Sequence, residues 1–349
     1  MSFENLSARE KQILKVLIDH YITRAEPVAS KALAKTYDLG LSPATIRNTL
    51  KDLEEIGLVN QPHTSAGRVP TVQGYQMYVD YLLEPEKLSF VDREKIRNNI
   101  SKEYSGIDQV LEQTSRVLGS VSSQLGVTIS PKFESGIITR LELIPVAERR
   151  VLVVLAMKSG LAKTVLLEVE TDLSDVALSD TATVLNERLC GLTIGEMRTT
   201  IERRLAEPTM GDPRLIKMFI ESAETLLKFS EGAEVHLGDT RYILNQPEFK
   251  DPTKVRELFD LIEERQTVFD LVSRAGIMEG ITVTIGVEGG KNASESSNIE
   301  QLSLLSSTYS AGKFKGILGV IGPTRMPYSK LMGVVDYTAK RLSEILSDR

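Results

Sequence analysis

A chain of 349 residues exceeds one ordinary hydrophobic core and implies two or three domains, and its apolar and charged fractions, 41% and 26%, exclude a disordered protein. The formal net charge of −6 argues against a protein that coats nucleic acid without regard to sequence, although a local cationic edge is still compatible with DNA binding. A single cysteine, Cys190, excludes an internal disulfide and a cysteine zinc cluster. The absence of a long apolar run and of a signal-peptide pattern points to a cytoplasmic chain with no membrane partner.

Ser7 followed by Glu10 forms a capping box. It opens a predicted helix with Ile13, Leu14, Leu17, Ile18 and Tyr21 on one stripe, fraying near Thr23 ahead of Glu26-Pro27. A second short helix is expected from Val28 to Tyr37, with Val28, Leu33 and Ala34 inward and an end at Gly40. The third begins at Ser42 with Pro43 at its first helical position, buries Ile46, Leu50 and Leu53, and stops at Gly57. Its other face carries Ala44, Arg47, Asn48 and Lys51, with Thr45 at the flank. A short cationic face near a helix start is what a recognition helix presents to the major groove. Arg pairs bidentately with guanine and Asn with adenine, and Ser42 with the first N–H groups can hold a phosphate.

Leu58 to Gln61 reads as a strand, His63 to Gly67 as a hairpin tip and Arg68-Val69-Pro70 as the returning strand. The hairpin is a wing that can reach phosphates or the minor groove, with His63, Thr64 and Arg68 as candidate phosphate or wing contacts. An amphipathic helix from Thr71, with Tyr75, Tyr78, Val79 and Leu82 inward, completes a winged helix-turn-helix over 1–84. The same pattern also suits protein-binding or RNA-binding modules, because fold does not fix function.

A charged stretch over 85–105 predicts a linker helix, and Ile107, Val110, Leu111, Val117, Leu118, Val121 and Leu125 predict another that ends at Gly126. Strands are expected at 136–146, 150–157 and 162–170, the last two joined by a turn at Ser159-Gly160 into an antiparallel meander. From Leu173 to Ala275 the pattern is mostly helical, with helix starts at Asp212-Pro213 and Asp251-Pro252 and an alternating run over 234–244 around Gly238-Asp239. Strands resume at 280–286, 301–309 and 315–321, before a final amphipathic helix over 328–346. Two strand blocks flanking a helical interval suggest an insertion into one α+β sheet domain.

The segments LSAREKQILKVLIDHYI, EPVASKALA, LSPATIRNTLKDLEEIGLV, HTSAGRVPTVQGYQMYVDYLL and GKFKGILGVIGPTRMPYSK, in this order and spacing, resemble the bacterial heat-inducible transcription repressors of the HrcA family. The resemblance implies a multidomain α+β protein with a winged helix-turn-helix, a GAF-like α+β domain and a mostly helical dimerisation domain inserted into it. On this chain those parts fall at 1–84, 106–190 with 277–349, and 191–276. It further implies a homodimer on double-stranded DNA, binding an inverted-repeat operator, CIRCE, upstream of chaperone operons. Repression would be promoted by the chaperonin GroEL and relieved by heat.

Other candidate chemistry is weaker. The glycines of 286–290 lack the G-x-G-x-x-G spacing and a following helix, and Gly316, Gly319 and Gly322 sit in or beside a strand. His20, His63 and His236 are isolated, and Cys190 before Gly191 reads as a small hydrophobe at a helix end. No acid–base pair, triad or phosphate loop stands out, so no enzyme, cofactor or metal is expected. A ligand sensor acting through the GAF-like domain, and a catalytic domain fused to a regulatory winged helix, are the alternatives.

Overall fold

The computed structural model describes residues 6–101, 106–131, 133–147, 149–169, 174–206, 210–227, 235–275, 280–286 and 302–347. The glycine-rich stretch 287–290, Gln301 and Glu234 therefore lie outside the described residues.

Helix α1 (Ala8–Arg24) starts with the capping box: Ser7 Oγ accepts the Glu10 N–H at 3.3 Å, and the Ser7 N–H reaches Glu10 Oε2 at 2.7 Å. It buries Ile13, Leu14, Leu17 and Ile18 and stops where Ala25 turns left-handed, φ 57°. Helix α2 (Ser30–Thr36) is shorter than its sequence suggests. Val28 is taken instead by a backbone bridge to Arg68, and Tyr37 is extended with its ring edge-on to His20; Gly40 nonetheless adopts the left-handed conformation, φ +61°. Helix α3 (Pro43–Glu55) follows the N-cap Ser42 and ends before Gly57 at φ +79°.

Strands β1 (Val59–Asn60) and β2 (Val69–Pro70) pair antiparallel as the wing. Helix α4 (Val72–Met77), capped by Thr71, runs into a π-helical turn over Tyr78–Leu82. Helix α5 (Phe90–Asn99) lies within the stretch expected as a linker helix, of which 102–105 fall outside the described residues.

Helix α6 (Ile107–Ser122) ends at Ser123 rather than at Gly126, which belongs to a short fully buried strand, β3 (Leu125–Ile129). A Cβ at Gly126 would lie 2.0 Å from the Ser115 carbonyl oxygen, so this glycine serves the close approach of strand to helix. Strands β4 (Ile138–Ala147), β5 (Arg150–Met157) and β6 (Ala162–Glu168) form the predicted meander. Helices α7 (Asp175–Leu189), α8 (Ile194–Leu205), α9 (Pro213–Glu221) and α10 (Ala223–Leu227) follow. Next come β7 (Val235–Leu237), α11 (Arg241–Leu244), a 3-10 turn over Pro247–Lys250, α12 (Pro252–Glu263) and α13 (Arg265–Ala275). Strands β8 (Ile281–Ile285), β9 (Leu302–Ala311) and β10 (Phe314–Pro323) and helix α14 (Tyr328–Ser347) close the chain.

Among the described residues the strands outside the wing separate into two sheets. One has the order β7-β3-β10-β9-β8, the other β4-β5-β6. The chain accordingly divides into two compact units. The first comprises 1–129, 235–308 and 317–341; the second comprises 130–234, 309–316 and 342–349. The sequence assigns the meander to the same sheet as the late strands and begins the insertion at 191. The pairing instead keeps β4–β6 among themselves, on the side of α7–α10. Strand β7, within the interval read as inserted, pairs with β3.

In the first unit, α6 packs on β3, burying Val110, Leu111, Val117 and Leu118 with Leu125, Val127 and Ile129. The winged helix belongs to this unit, where Arg325, just after β10, donates to the Ile22 carbonyl at the end of α1 and pairs with Glu248 at 2.7 Å. In the second unit Val151, Leu178 and Leu215 form a small core between β5, α7 and α9.

Candidate nucleic-acid interface

The candidate face is built by α3 and the wing. Ile46, Thr49, Leu50 and Leu53 are buried, which turns Ala44, Arg47, Asn48 and Lys51 outward; all four are exposed, and Thr45 is half-buried. The side chains of Arg47 and Asn48 have no hydrogen bond or ion pair among the described residues. Lys51 lies 3.5 Å from Glu55, but both side chains are well exposed, so this pair holds the lysine only weakly. Ser42 is committed to its own helix: its Oγ accepts the Thr45 N–H at 3.1 Å and lies 2.9 Å from Thr45 Oγ1. It remains exposed at the helix start, where unpaired N–H groups favour an anion.

The wing is braced from within. The Gln61 side-chain amide donates to the carbonyls of Thr64 at 3.0 Å and Ala66 at 2.8 Å, and the Ala66 N–H closes the turn onto the His63 carbonyl at 2.9 Å. At Gly67 a Cβ would meet the Val28 carbonyl carbon at 2.4 Å, so only glycine lets the hairpin sit against the α1–α2 connection. His63, Thr64 and Ser65 are left exposed at the tip. Arg68 differs from the other candidates: its guanidinium meets Glu54 Oε2 at 2.7 Å, and only 17% of the side chain is accessible.

Behind this face Tyr78 donates to Asp19 Oδ1 at 2.6 Å while Lys15 holds the other carboxylate oxygen at 2.9 Å. Burial, reinforced by that hydrogen bond to Asp19, pushes the Tyr78 phenol well up, so it stays a donor and ties α1 to the segment after α4. Thr71 Oγ1 donates to the Gly57 carbonyl at 2.7 Å, joining the end of α3 to the start of α4. Sequence reading missed Gln61, Glu54 and Thr71 as positioning groups. Thr71 carried a cap pattern, but the reach of Gln61 and Glu54 depends on chain reversal that no local pattern shows.

Of the sites set aside earlier, Cys190 Sγ donates to Asn186 Oδ1 at 3.2 Å, and burial pushes its thiol up. Among the described residues no group of three or more His, Cys, Asp or Glu could hold a metal ion, and no helix is long and apolar enough to cross a membrane.

Two family models match the chain. One, described as the winged helix-turn-helix transcription repressor HrcA DNA-binding domain, covers residues 5–80; the other, described as the HrcA protein C terminal domain, covers 108–332. The heat-inducible transcription repressor HrcA of Geobacter sulfurreducens is 40% identical over 98% of each chain. That of Chlorobium phaeobacteroides is 37% identical over 99% of this chain and all of its own. A crystal structure of a hypothetical protein is similar with a TM-score of 0.67 and 23% identity over 99% of each chain, a likeness that concerns the fold alone.

Proposed function

Since the chain belongs to the HrcA family of heat-inducible transcription repressors, with its DNA-binding winged helix at the N-terminus, we propose that it represses chaperone operons as a cytoplasmic homodimer on the inverted-repeat CIRCE operator. The observation that carries the base-reading part of this proposal is the exposed, unpaired side-chain set of Arg47 and Asn48 on α3. In this reading Arg47 and Asn48 read base edges, Lys51 and Thr45 assist beside them, and Ala44 allows close approach to the groove. Ser42, His63 and Thr64 meet phosphates.

The dimer follows from the symmetry of an inverted repeat, whose half-sites match two recognition helices about a two-fold axis. It is also supported by a cross-strand apolar row on the second unit. Ile144 pairs with Leu152 and Leu152 with Leu166, on the face opposite the buried Val151, Val153 and Leu155. Ile144 and Leu166 are exposed. No catalytic step belongs to this function. GroEL promotes the operator-competent form, and heat relieves repression as the chaperonin becomes engaged elsewhere.

Titration of a CIRCE duplex tests the reading. Arg47→Ala is expected to weaken binding by about 1–3 kcal/mol and to relax preference at one base position. Equal affinity of wild type and variant at every base would remove Arg47 from the interface. The same titration with and without GroEL, before and after heating, tests the chaperonin part; an active fraction indifferent to GroEL overturns it.

A further inference from the structure

One arginine of the wing is placed unlike a phosphate contact. Arg68 stands at the base of the returning strand, where its backbone exchanges hydrogen bonds with Val28: the Val28 N–H reaches the Arg68 carbonyl at 2.8 Å and the Arg68 N–H the Val28 carbonyl at 2.9 Å. Its Nη2 lies 2.7 Å from Glu54 Oε2 in the last turn of α3, and Nε is buried without a partner. A guanidinium engaged this way presents little of its donor fork outward. The carboxylate beside it also cancels the charge that would release counterions from DNA.

We propose that Arg68 is a positioning residue: paired with Glu54, it fixes the wing relative to the recognition helix and does not itself bind phosphate. The inference rests on the DNA-binding reading above and assigns a role within it. Three holds act on the same short hairpin. The Gln61 amide sets the tip, Gly67 allows contact with the α1–α2 connection, and the Arg68–Glu54 pair sets the wing against α3. The pair thus joins the two DNA-facing elements directly, so a loss on either side of it loosens both. Such preorganisation raises affinity by removing ordering that would otherwise accompany binding.

The two roles give opposite signs for one substitution. If Glu54 merely occupied a phosphate-binding arginine, Glu54→Ala would free it, binding would hold or tighten, and the salt dependence would steepen. If the pair is a brace, Glu54→Ala weakens binding.

The experiment is titration of the full-length protein with a CIRCE duplex over a salt series, for wild type, Glu54→Ala, Arg68→Met and the double variant, with hydrogen exchange read at the amides of Val28 and Arg68. Expected are a loss of about 5- to 30-fold in affinity for each single variant, no further loss in the double variant and, in the double variant, whose local charge is zero as in the wild-type pair, the salt slope of wild type. Exchange at both amides should be about tenfold faster in Glu54→Ala. A slope shallower by about one unit in the double variant, or undiminished binding by Glu54→Ala, overturns the proposal. Should wild type itself fail to bind the duplex, the DNA-binding reading falls. The exchange measurement still decides the brace: unchanged exchange in Glu54→Ala refutes it.

Discussion

The start of α3 and two backbone sites elsewhere in the fold, one within a strand and one at a helix end, solve one problem, an orphan backbone group, over very different sequence distances. Ser42 accepts the Thr45 N–H three residues along its own chain. In the second unit Asn186 of α7 caps Leu141 of β4 across 45 residues, accepting its N–H at 3.0 Å and donating to its carbonyl at 2.7 Å. In the first unit Arg325 reaches the Ile22 carbonyl at the end of α1 across 303 residues, while Glu248 balances its charge. The local cap is exposed, and water can replace it. The remote caps act on buried or half-buried groups, where water replaces them less readily. Remote capping should therefore cost more to remove, and the contrast can be measured.

The largest effect is expected at Arg325. Its side chain is 10% exposed and that of Glu248 22%, and Arg325→Ala would leave the carboxylate without its cation and the end of α1 without a donor. A loss of about 3–5 kcal/mol in denaturant unfolding is expected. Glu248→Gln with Arg325→Met should lose less than Arg325→Ala alone, because neither charge is then stranded. A loss under about 1 kcal/mol for Arg325→Ala would place this remote cap in the range of a local one and break the contrast.

Asn186 comes next. Leu141 is almost wholly buried, so Asn186→Ala leaves its N–H and carbonyl to find other partners, at about 1–3 kcal/mol for each group left unpaired. Asn186→Asp separates the two halves of the cap, since a carboxylate still accepts from the Leu141 N–H but turns an oxygen toward the Leu141 carbonyl. Chemical denaturation of the three proteins should place Asp no better than Ala. Full retention of stability in Asn186→Asp would show that the donated hydrogen bond contributes nothing.

The same contrast explains what was legible in the sequence. The winged helix could be read almost element by element because Ser7, Ser42, Gly57 and Thr71 announce their own boundaries within three or four residues. The exposed face of α3 followed from the Ile46–Leu50–Leu53 row. The insertion could not be placed in the same way. Alternation identifies β4, β5 and β6 as strands but carries no record of their partners, and the choice between one sheet and two was settled by pairings such as β3 with β7, over a hundred residues apart. Strand β3 was missed because all five of its residues are buried, which erases the period of two and lets Gly126 pass for a helix stop. Within the candidate interface, Arg68 was legible as a wing cation, but its pairing with Glu54 depends on how the hairpin folds back onto α3.

The smallest effect is expected at Ser42, and it separates stability from binding. Ser42→Ala removes one exposed cap and should cost about 1 kcal/mol in unfolding, the usual worth of such a residue. Ser42→Asp is a good cap that also complements the positive end of the helix dipole, so its stability should match or exceed that of wild type. An aspartate at this position, however, sets a fixed negative charge at the start of the face proposed to meet the DNA backbone. A thermally intact Ser42→Asp protein with weakened CIRCE binding would place the start of α3 against phosphate. Binding as tight as that of wild type, at low salt where repulsion is least screened, would mean that the helix start does not approach the backbone and that Ser42 serves only its own helix.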